Sequence, residues 1–297
     1  MAVIVANYEI EACIGRGGMA EVHRARVLEG PRAGTPVAVK RLLPALARDP
    51  EQVRHFAREA RLAAQLHHPA IVEVLEIVEH RGAPLIVMEY VDGSDLRRLL
   101  ARLNERGILF PVDFALYAVQ TVAEGLKAAH EARGEDGQVL GVIHCDVSPS
   151  NIFVSRAGEV KIGDFGVARA TGDMRRVAYG KVRYLSPEQL RNEPVTARTD
   201  VFGLGAVLYE LLTGAKAFPE DDPDETVRHI LSGRRHPPSS LRPEVSEEVD
   251  ALVLRALADR GGYPHAGAFA AELGLHFDPG VGNRLAIAAV VRGLLAA

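Results

Sequence analysis

Cysteine is nearly missing from this chain of 297 residues: Cys13 and Cys145 are its only two. That excludes a disulfide framework and any four-cysteine metal centre. An excess of positive charge is missing too. Lys and Arg total 35 against 39 Asp and Glu, for a net charge of -4 and a pI near 6.3. There is thus no general electrostatic case for a nucleic-acid partner. Long apolar runs are also absent. The best candidate, 285–297, is interrupted by Arg292 and falls short of the roughly 20 residues a spanning helix needs. The opening stretch, MAVIVANYEIEA, has no basic segment and no extended apolar core, so it does not read as a signal peptide. These absences lead us to expect a cytoplasmic protein without membrane insertion. Repeats and low-complexity tracts are lacking as well. What remains, 47% hydrophobic and 25% charged residues, is an ordinary globular composition. The length suits one large domain or two lobes, each with its own core.

Along the chain, strand-type runs come first, at 8–14, 21–27 and 37–42, with glycine and proline between them. Asp49-Pro50-Glu51-Gln52 then offers an N-cap, a proline at the first helical position and a capping-box glutamine. Val53, Phe56, Ala60, Ala63 and Leu66 follow on one helical face. Two more strand-like runs, 71–78 and 85–90, end at the turn Asp92-Gly93-Ser94. Helical patterns dominate afterwards, at 95–104, 112–132, 199–213, 224–232, 246–258 and 266–275, with short strand runs at 142–143, 152–154 and 160–162. The outline is a strand-rich N-terminal lobe and a helical C-terminal lobe, joined near residues 89–93.

Three stretches carry chemistry. Gly15-Arg16-Gly17-Gly18-Met19-Ala20-Glu21-Val22 is a turn whose glycines let backbone amides approach an anion. A strand follows instead of a helix, which argues against a dinucleotide-binding unit, and no Gly-Lys-Ser/Thr follows for a Walker A loop. In Val37-Ala38-Val39-Lys40, alternation puts Ala38 and Lys40 on one face. Small Ala38 leaves room for a flat ring, while Lys40 can reach phosphates with Glu59 available as its anionic partner. In His144-Cys145-Asp146-Val147-Ser148-Pro149-Ser150-Asn151, Asp146 can accept a hydroxyl proton; Asn151 and the Asp164 of Asp164-Phe165-Gly166 are oxygen ligands suited to Mg2+. Singly each is weak. Together, in this order, they are not.

The chain resembles the eukaryotic-like protein kinases, bacterial serine/threonine kinases in particular. GRGGMAEV is similar to their glycine-rich loop, VAVK to the lysine-bearing strand, and FAREARLAAQLHHPAIV, with Glu59, to helix C. MEYVDG is similar to the hinge, HCDVSPSN to the catalytic loop and VKIGDFG to the metal-binding motif. YLSPE at 184–188 and DVFGLGAVLYELLTG at 200–214 are similar to the end of the activation segment and helix F. The resemblance implies an α+β, two-lobed protein-kinase-like fold: an antiparallel-sheet N-lobe (about 8–90) with helix C, a mainly helical C-lobe (about 94–277), and a helical tail at 278–297. It implies transfer of the ATP γ-phosphate to serine or threonine hydroxyls of proteins, with Mg2+ or Mn2+.

By resemblance, Lys40 would hold the α/β-phosphates and pair with Glu59, Asp146 would be the catalytic base, and Asn151 and Asp164 would bind the metal. The nucleotide would meet Ile14, the loop residues from Gly15 through Glu21, Val22 and Ala38 on one side and Phe153 on the other. Met88 would stand at the back, Glu89 and Val91 would meet the adenine edge through their backbone, and Asp95 the ribose. Asp200 would brace the catalytic-loop backbone. A kinase without transmembrane and sensor segments is expected to take its input from a regulatory partner protein.

The chain departs from the family at three places. Cys145 stands where an arginine usually receives an activation-segment phosphate, so switching by that route is not expected; an inert replacement is preferred to a redox role. Ser148 stands where a lysine usually contacts the transferring phosphate, and Lys181 where a threonine is usual. Hydroxyl and ammonium look exchanged, and Lys181 is expected to supply the missing charge. Near the C-terminus an arginine usually pairs with the glutamate that Glu188 matches; here Gly262 takes its slot, leaving Arg260 as a substitute or Glu188 without one. Arg175, Arg176, Lys181 and Arg183 make the activation segment basic, read as a solvated loop. Of its hydroxyls (Thr171, Tyr179, Tyr184, Ser186), Thr171 is the expected autophosphorylation site. Two rival functions stay open: a nucleotide-binding pseudokinase scaffold, favoured by Ser148 and Cys145, and a small-molecule kinase of the aminoglycoside-phosphotransferase type, opposed by the SPE segment.

Overall fold

Alternating apolar residues between glycine-rich turns make the N-terminal third a sheet, and longer runs of 3.6-residue periodicity make the remainder helical. The computed structural model describes residues 3–80, 82–165 and 179–296, and divides into two units. The first comprises Met1–His68 and Val72–Val91; the second comprises Pro69–Ile71 and Asp92–Ala297.

In the first unit β1 (Val3–Val5), β2 (Tyr8–Arg16), β3 (Ala20–Val27), β4 (Pro36–Leu42), β5 (Val74–His80) and β6 (Ala83–Glu89) form one antiparallel sheet in the order β1-β2-β3-β4-β6-β5. Alternation splits its side chains into two clusters. Val37 and Val39 join Tyr8, Ala25, Val27 and Val87 on one face. On the other, Ala20, Leu42, Val74 and Ile86 meet Phe56 and Ala60 of helix α1 (Pro50–Ala63). Asp49 caps that helix and Pro50 begins it, but the Asp49 carboxylate accepts from Glu51 N at 2.9 Å. Gln52 is buried instead of closing a capping box.

The second unit opens with β7 (Gly93–Asp95), α2 (Leu96–Glu105) and α3 (Val112–Glu131). β8 (Ile152–Ser155) and β9 (Val160–Ile162) then complete a three-stranded sheet in the order β7-β8-β9. The expected strand at 142–143 is an extended loop. After the undescribed residues come α4 (Pro187–Leu190), α5 (Ala197–Thr213), α6 (Pro223–Leu231), α7 (Glu247–Ala256), α8 (Ala266–Leu273) and α9 (Arg284–Ala296). Every residue of α5 from Thr199 to Leu212 is buried, as a helix apolar on nearly all sides must be. Gly203 permits this on one side: a Cβ there would lie 2.8 Å from the Cβ of Val147 in the loop that carries Asp146.

Residues 278–296 of the tail pack within the second unit. Ile287, Ala288, Val291 and Leu294 of α9 are buried, and Arg284 reaches the β8–β9 turn, donating to Ala157 O at 3.0 Å and pairing with Glu159 at 2.9 Å. Gly158 sits so close that a Cβ would lie 1.9 Å from Arg284 O. Among the described residues no helix is long and apolar enough to cross a membrane.

Candidate active site

In the first unit the glycine-rich segment is the turn between β2 and β3, closed by Gly17 N donating to Ala20 O at 2.8 Å. Ile14, Gly15 and Arg16 end β2, opposite the start of β3, with Gly15 facing Val22 and Arg16 facing Glu21. Gly18 and Met19 form the exposed tip. Across β3, β4 and β6, Val22 faces Lys40, which faces Ile86; one step on, Ala38 faces Met88. Val22, Ala38, Lys40 and Met88 therefore share the face that α1 covers, and α1 carries Glu59 beside buried Ala60. Glu21 points the other way. Its carboxylate accepts from Arg41 Nε at 2.7 Å and lies 3.4 Å from His23. Burial pushes its pKa up, but the hydrogen bond from Arg41 and the nearby His23 ring outweigh it and leave the group below the usual carboxylate range. Glu89 donates its N–H to Glu73 O at 3.0 Å, and Arg24 lies over the Tyr90 ring beside Val91.

In the second unit the loop 144–151 is held from beneath by α5. Asp200, 1% exposed, accepts from His144 N at 2.9 Å and Cys145 N at 2.8 Å, and meets His130 Nε2 at 2.7 Å. Cys145 takes φ +60°, a left-handed backbone that a non-glycine residue adopts only when its surroundings impose it. The Asp200 contact and the amide of Gln189, which donates to Cys145 O at 2.9 Å, impose it. The Cys145 side chain is buried, which suits an inert role. His144 in turn joins the loop to β9, its Nε2 meeting Gly163 O at 2.9 Å, and packs on Phe165.

Asp146 is the convergence point. Asn151 Nδ2 donates to its backbone oxygen at 2.7 Å and to Oδ2 at 3.0 Å; Lys181 Nζ donates to the same Oδ2 at 2.5 Å. Lys181 sits on the short 3-10 segment Tyr179–Tyr184, about two turns long, and the pair is 30% and 20% exposed. Ser148 is turned inward: 2% exposed, its hydroxyl lies 2.9 Å from that of Ser150. So the ammonium from the activation segment stands at Asp146, and the loop's own hydroxyl does not. Asp164 follows β9 with φ +59° and is half-buried. Phe153 lies on β8 opposite Asp95. The Asp95 carboxylate caps α2, accepting from Arg98 N at 2.9 Å, and lies 3.3 Å from Arg98 Nε.

The protein kinase domain family matches residues 8–260. The chain belongs to the protein kinase family. It is 39% identical over 274 residues to "Tyrosine-protein kinase MasK" of Myxococcus xanthus, spanning 90% of this chain and 42% of that protein. It is 40% identical over 272 residues to "Probable serine/threonine-protein kinase SCO3848" of Streptomyces coelicolor (88% and 38%), and 41% over 262 residues to "Serine/threonine-protein kinase PknB" of Mycobacterium tuberculosis (85% and 40%). The chain thus spans about two fifths of the length of these curated relatives. In fold it is similar to the crystal structure of the Mycobacterium tuberculosis PknI kinase domain, with a TM-score of 0.70 and 29% identity over 92% of this chain and 97% of that one. The fold is that of a protein kinase, an antiparallel-sheet N-lobe with helix C and a mainly helical C-lobe, and kinases of this family use ATP and a divalent metal.

Several sequence expectations for this kinase need correction. Arg260 is exposed and does not replace the arginine missing beside Glu188. Glu188 accepts instead from Thr199 Oγ1 at 2.7 Å. Arg191 and Asp259 form a two-pronged ion pair at 2.9 and 2.7 Å. No side chain fits at Gly262, where a Cβ would lie 2.8 Å from Arg255 O. Lys181 and Arg183 are not free in solvent but engaged with the protein: Lys181 pairs with Asp146, and Arg183 donates to Phe218 O at 3.1 Å and Glu220 O at 2.5 Å. Tyr184 is engaged too, donating to Glu210 at 2.5 Å and accepting from Lys216 at 2.8 Å; burial, then the Glu210 charge, pushes its pKa far up. Ser186 caps α4. Gly166, Thr171, Arg175 and Arg176 lie outside the described residues. Sequence reasoning missed Gln189 and His130; the SPE segment that Gln189 directly follows was the only available signal for the former.

Proposed function

We propose that this domain transfers the γ-phosphate of ATP to serine or threonine hydroxyls of proteins. The observation that carries this reading is Asp146: a carboxylate on a loop pinned by Asp200, with the Asn151 amide and the Lys181 ammonium both on Oδ2. A carboxylate fixed this way can orient an acceptor hydroxyl and take its proton. Lys40 would hold the α/β-phosphates, with Glu59 as its partner, and the amides of the 15–20 turn would cover them. Lys181 would supply the positive charge that Ser148 cannot, where negative charge gathers during transfer. Ala38, Val22, Met88 and Phe153 would contact the base, and the backbones of Glu89 and Val91 its edge.

Asn151 and Asp164 fit a hard divalent cation. The Asn151 nitrogen is spent on Asp146, which leaves its carbonyl oxygen as the atom it offers, and Asp164 adds a carboxylate; such all-oxygen donors suit Mg2+. Bound there, Mg2+ would neutralise phosphate charge. Against the scaffold alternative, which Ser148 and Cys145 favoured, Lys40, Glu59, Asp146, Asn151 and Asp164 are all present. The test is phosphate incorporation from Mg-ATP by purified protein, mapped by mass spectrometry beside Asp146→Asn. Phosphoserine or phosphothreonine that vanishes in the variant supports the reading. Phosphotyrosine alone overturns the acceptor class, and no incorporation overturns the activity.

A further inference from the structure

The hairpin that carries the glycine-rich turn holds a second cluster, on the face away from Val22. Cys13 and His23 stand directly opposite each other on β2 and β3, and Glu21 lies two residues before His23 on the same face. The Cys13 thiol, a Glu21 carboxylate oxygen and a His23 ring nitrogen all lie within 4.8 Å of one another. Glu21 and His23 are each only 8% exposed, whereas Cys13 is exposed. His23 Nε2 is buried with no hydrogen-bond partner and lies 3.4 Å from Glu21 Oε1. A buried ring nitrogen left without a partner is costly, so its orientation into a thiol and a carboxylate calls for an occupant.

We propose that Cys13, Glu21 and His23 form a Zn2+ site. Thiolate, imidazole and carboxylate are together a borderline donor set that suits Zn2+, whereas Mg2+ and Ca2+ take oxygen alone. Three protein ligands leave a fourth position, which the exposed side of Cys13 opens to water. Arg41, donating to Glu21 Oε1 at 2.7 Å, is the outer partner that metal-bound carboxylates ordinarily have. On binding, the metal displaces the thiol proton of Cys13 to solvent and forms bonds to Sγ, to Glu21 and to His23 Nε2; no electrons move. Cys13 lies two residues before Gly15 and Glu21 follows Ala20, so the ligands clamp both ends of the glycine-rich turn. Occupancy therefore restricts the segment proposed to cover the phosphates.

The proposal is tested on the purified full chain, stripped with a chelator and titrated with Zn2+ against a fluorescent competitor, then with Co2+ followed by absorption. One equivalent is expected to bind, with a thiolate-to-cobalt charge-transfer band. Cys13→Ser and His23→Ala should each weaken binding by more than the about 10- to 100-fold that loss of an outer partner costs, and Cys145→Ser should keep the band. Binding that neither variant weakens, or no retained equivalent, overturns the site. X-ray absorption on the zinc-loaded wild type decides without variants: one sulfur neighbour supports it, none refutes it. These readouts are of metal and not of phosphate transfer, so they stand or fall apart from the kinase reading.

Discussion

Replacing Lys181 with methionine keeps the length of the side chain and removes its charge. Lys181 Nζ lies 2.5 Å from Asp146 Oδ2, so the phosphoryl group moving to a hydroxyl held by Asp146 would pass roughly 4 Å from the ammonium. At that distance and an effective dielectric of about 20, one unit charge is worth about 4 kcal/mol. The two side chains are 30% and 20% exposed, and solvent screening brings this to about 2 to 3 kcal/mol, or roughly 30- to 150-fold in rate. Loss of one fixed electrostatic donor in other enzymes falls in or above this range. Steady-state kinetics with a peptide acceptor should show kcat reduced by that factor in Lys181→Met, while the KM for ATP changes less than about threefold. Lys181→Arg should retain more of the rate, because the charge persists. If Lys181→Met stays within about threefold of wild type in kcat, the ammonium plays no part in transfer and the exchange with Ser148 is incidental.

Three further expectations rest on other contacts. Arg191→Ala should lower the melting temperature by about 2–4 °C, because the Arg191–Asp259 pair is about one third exposed and worth about 1 kcal/mol. The hydrogen bond from Arg191 holds the Asp259 carboxyl below its usual range; the contribution is thus complete above the ordinary Asp value of about 3.9 and fades as pH falls through the lowered one. A gap between wild type and Arg191→Ala that stays unchanged down to pH values well below that range would contradict this. Asp200→Asn sets an amide N–H against the buried N–H of His144 or Cys145, and should cost about 1–3 kcal/mol in chemical denaturation and lower kcat, as Cys145 is released from φ +60°; unchanged stability would mean that the loop is held elsewhere. Ile287→Ala empties a fully buried position of α9 and should cost about 2–5 kcal/mol by urea titration, whereas no loss would show that the tail is dispensable.

Most of the fold was legible because its signals are local. The Asp49-Pro50 start, the apolar face through Phe56 and Ala60, and the alternation of Val37 to Lys40 each lie within a few residues, and each sets its own element. The candidate residues were legible for another reason, since glycines, Lys40, Asp146, Asn151 and Asp164 keep a fixed order and spacing. What was not legible depends on contacts between distant positions. Glu188 meets Thr199, Gln189 meets the backbone of Cys145, and Arg191 meets Asp259 68 positions away. Glu21 was grouped with the nucleotide-binding turn, and only the pairing of β3 with β4 revealed that it faces away from Val22 with Arg41 as its partner. Asp95 illustrates that capping and ligand binding ask for the same residue type: it caps the helix that starts at Leu96.

Stabilising a transferring phosphoryl group requires positive charge at one place in space, whichever segment delivers it. In this kinase the loop 144–151 carries no lysine or arginine, and the two positions where a cation would be expected hold Cys145 and Ser148. Both have been absorbed into the fold, Cys145 through its backbone hydrogen bonds and Ser148 through its hydroxyl contact with Ser150. The charge would come instead from Lys181, whose segment is fixed just after it by Arg183 on the Phe218 carbonyl and by Ser186 capping α4. An ammonium on a short, braced turn needs little reorganisation to act, whereas one on a loose loop would lose much of its effect to side-chain entropy and water. The same argument explains why Arg183 is not spare charge for an acidic substrate: it holds the turn that holds Lys181.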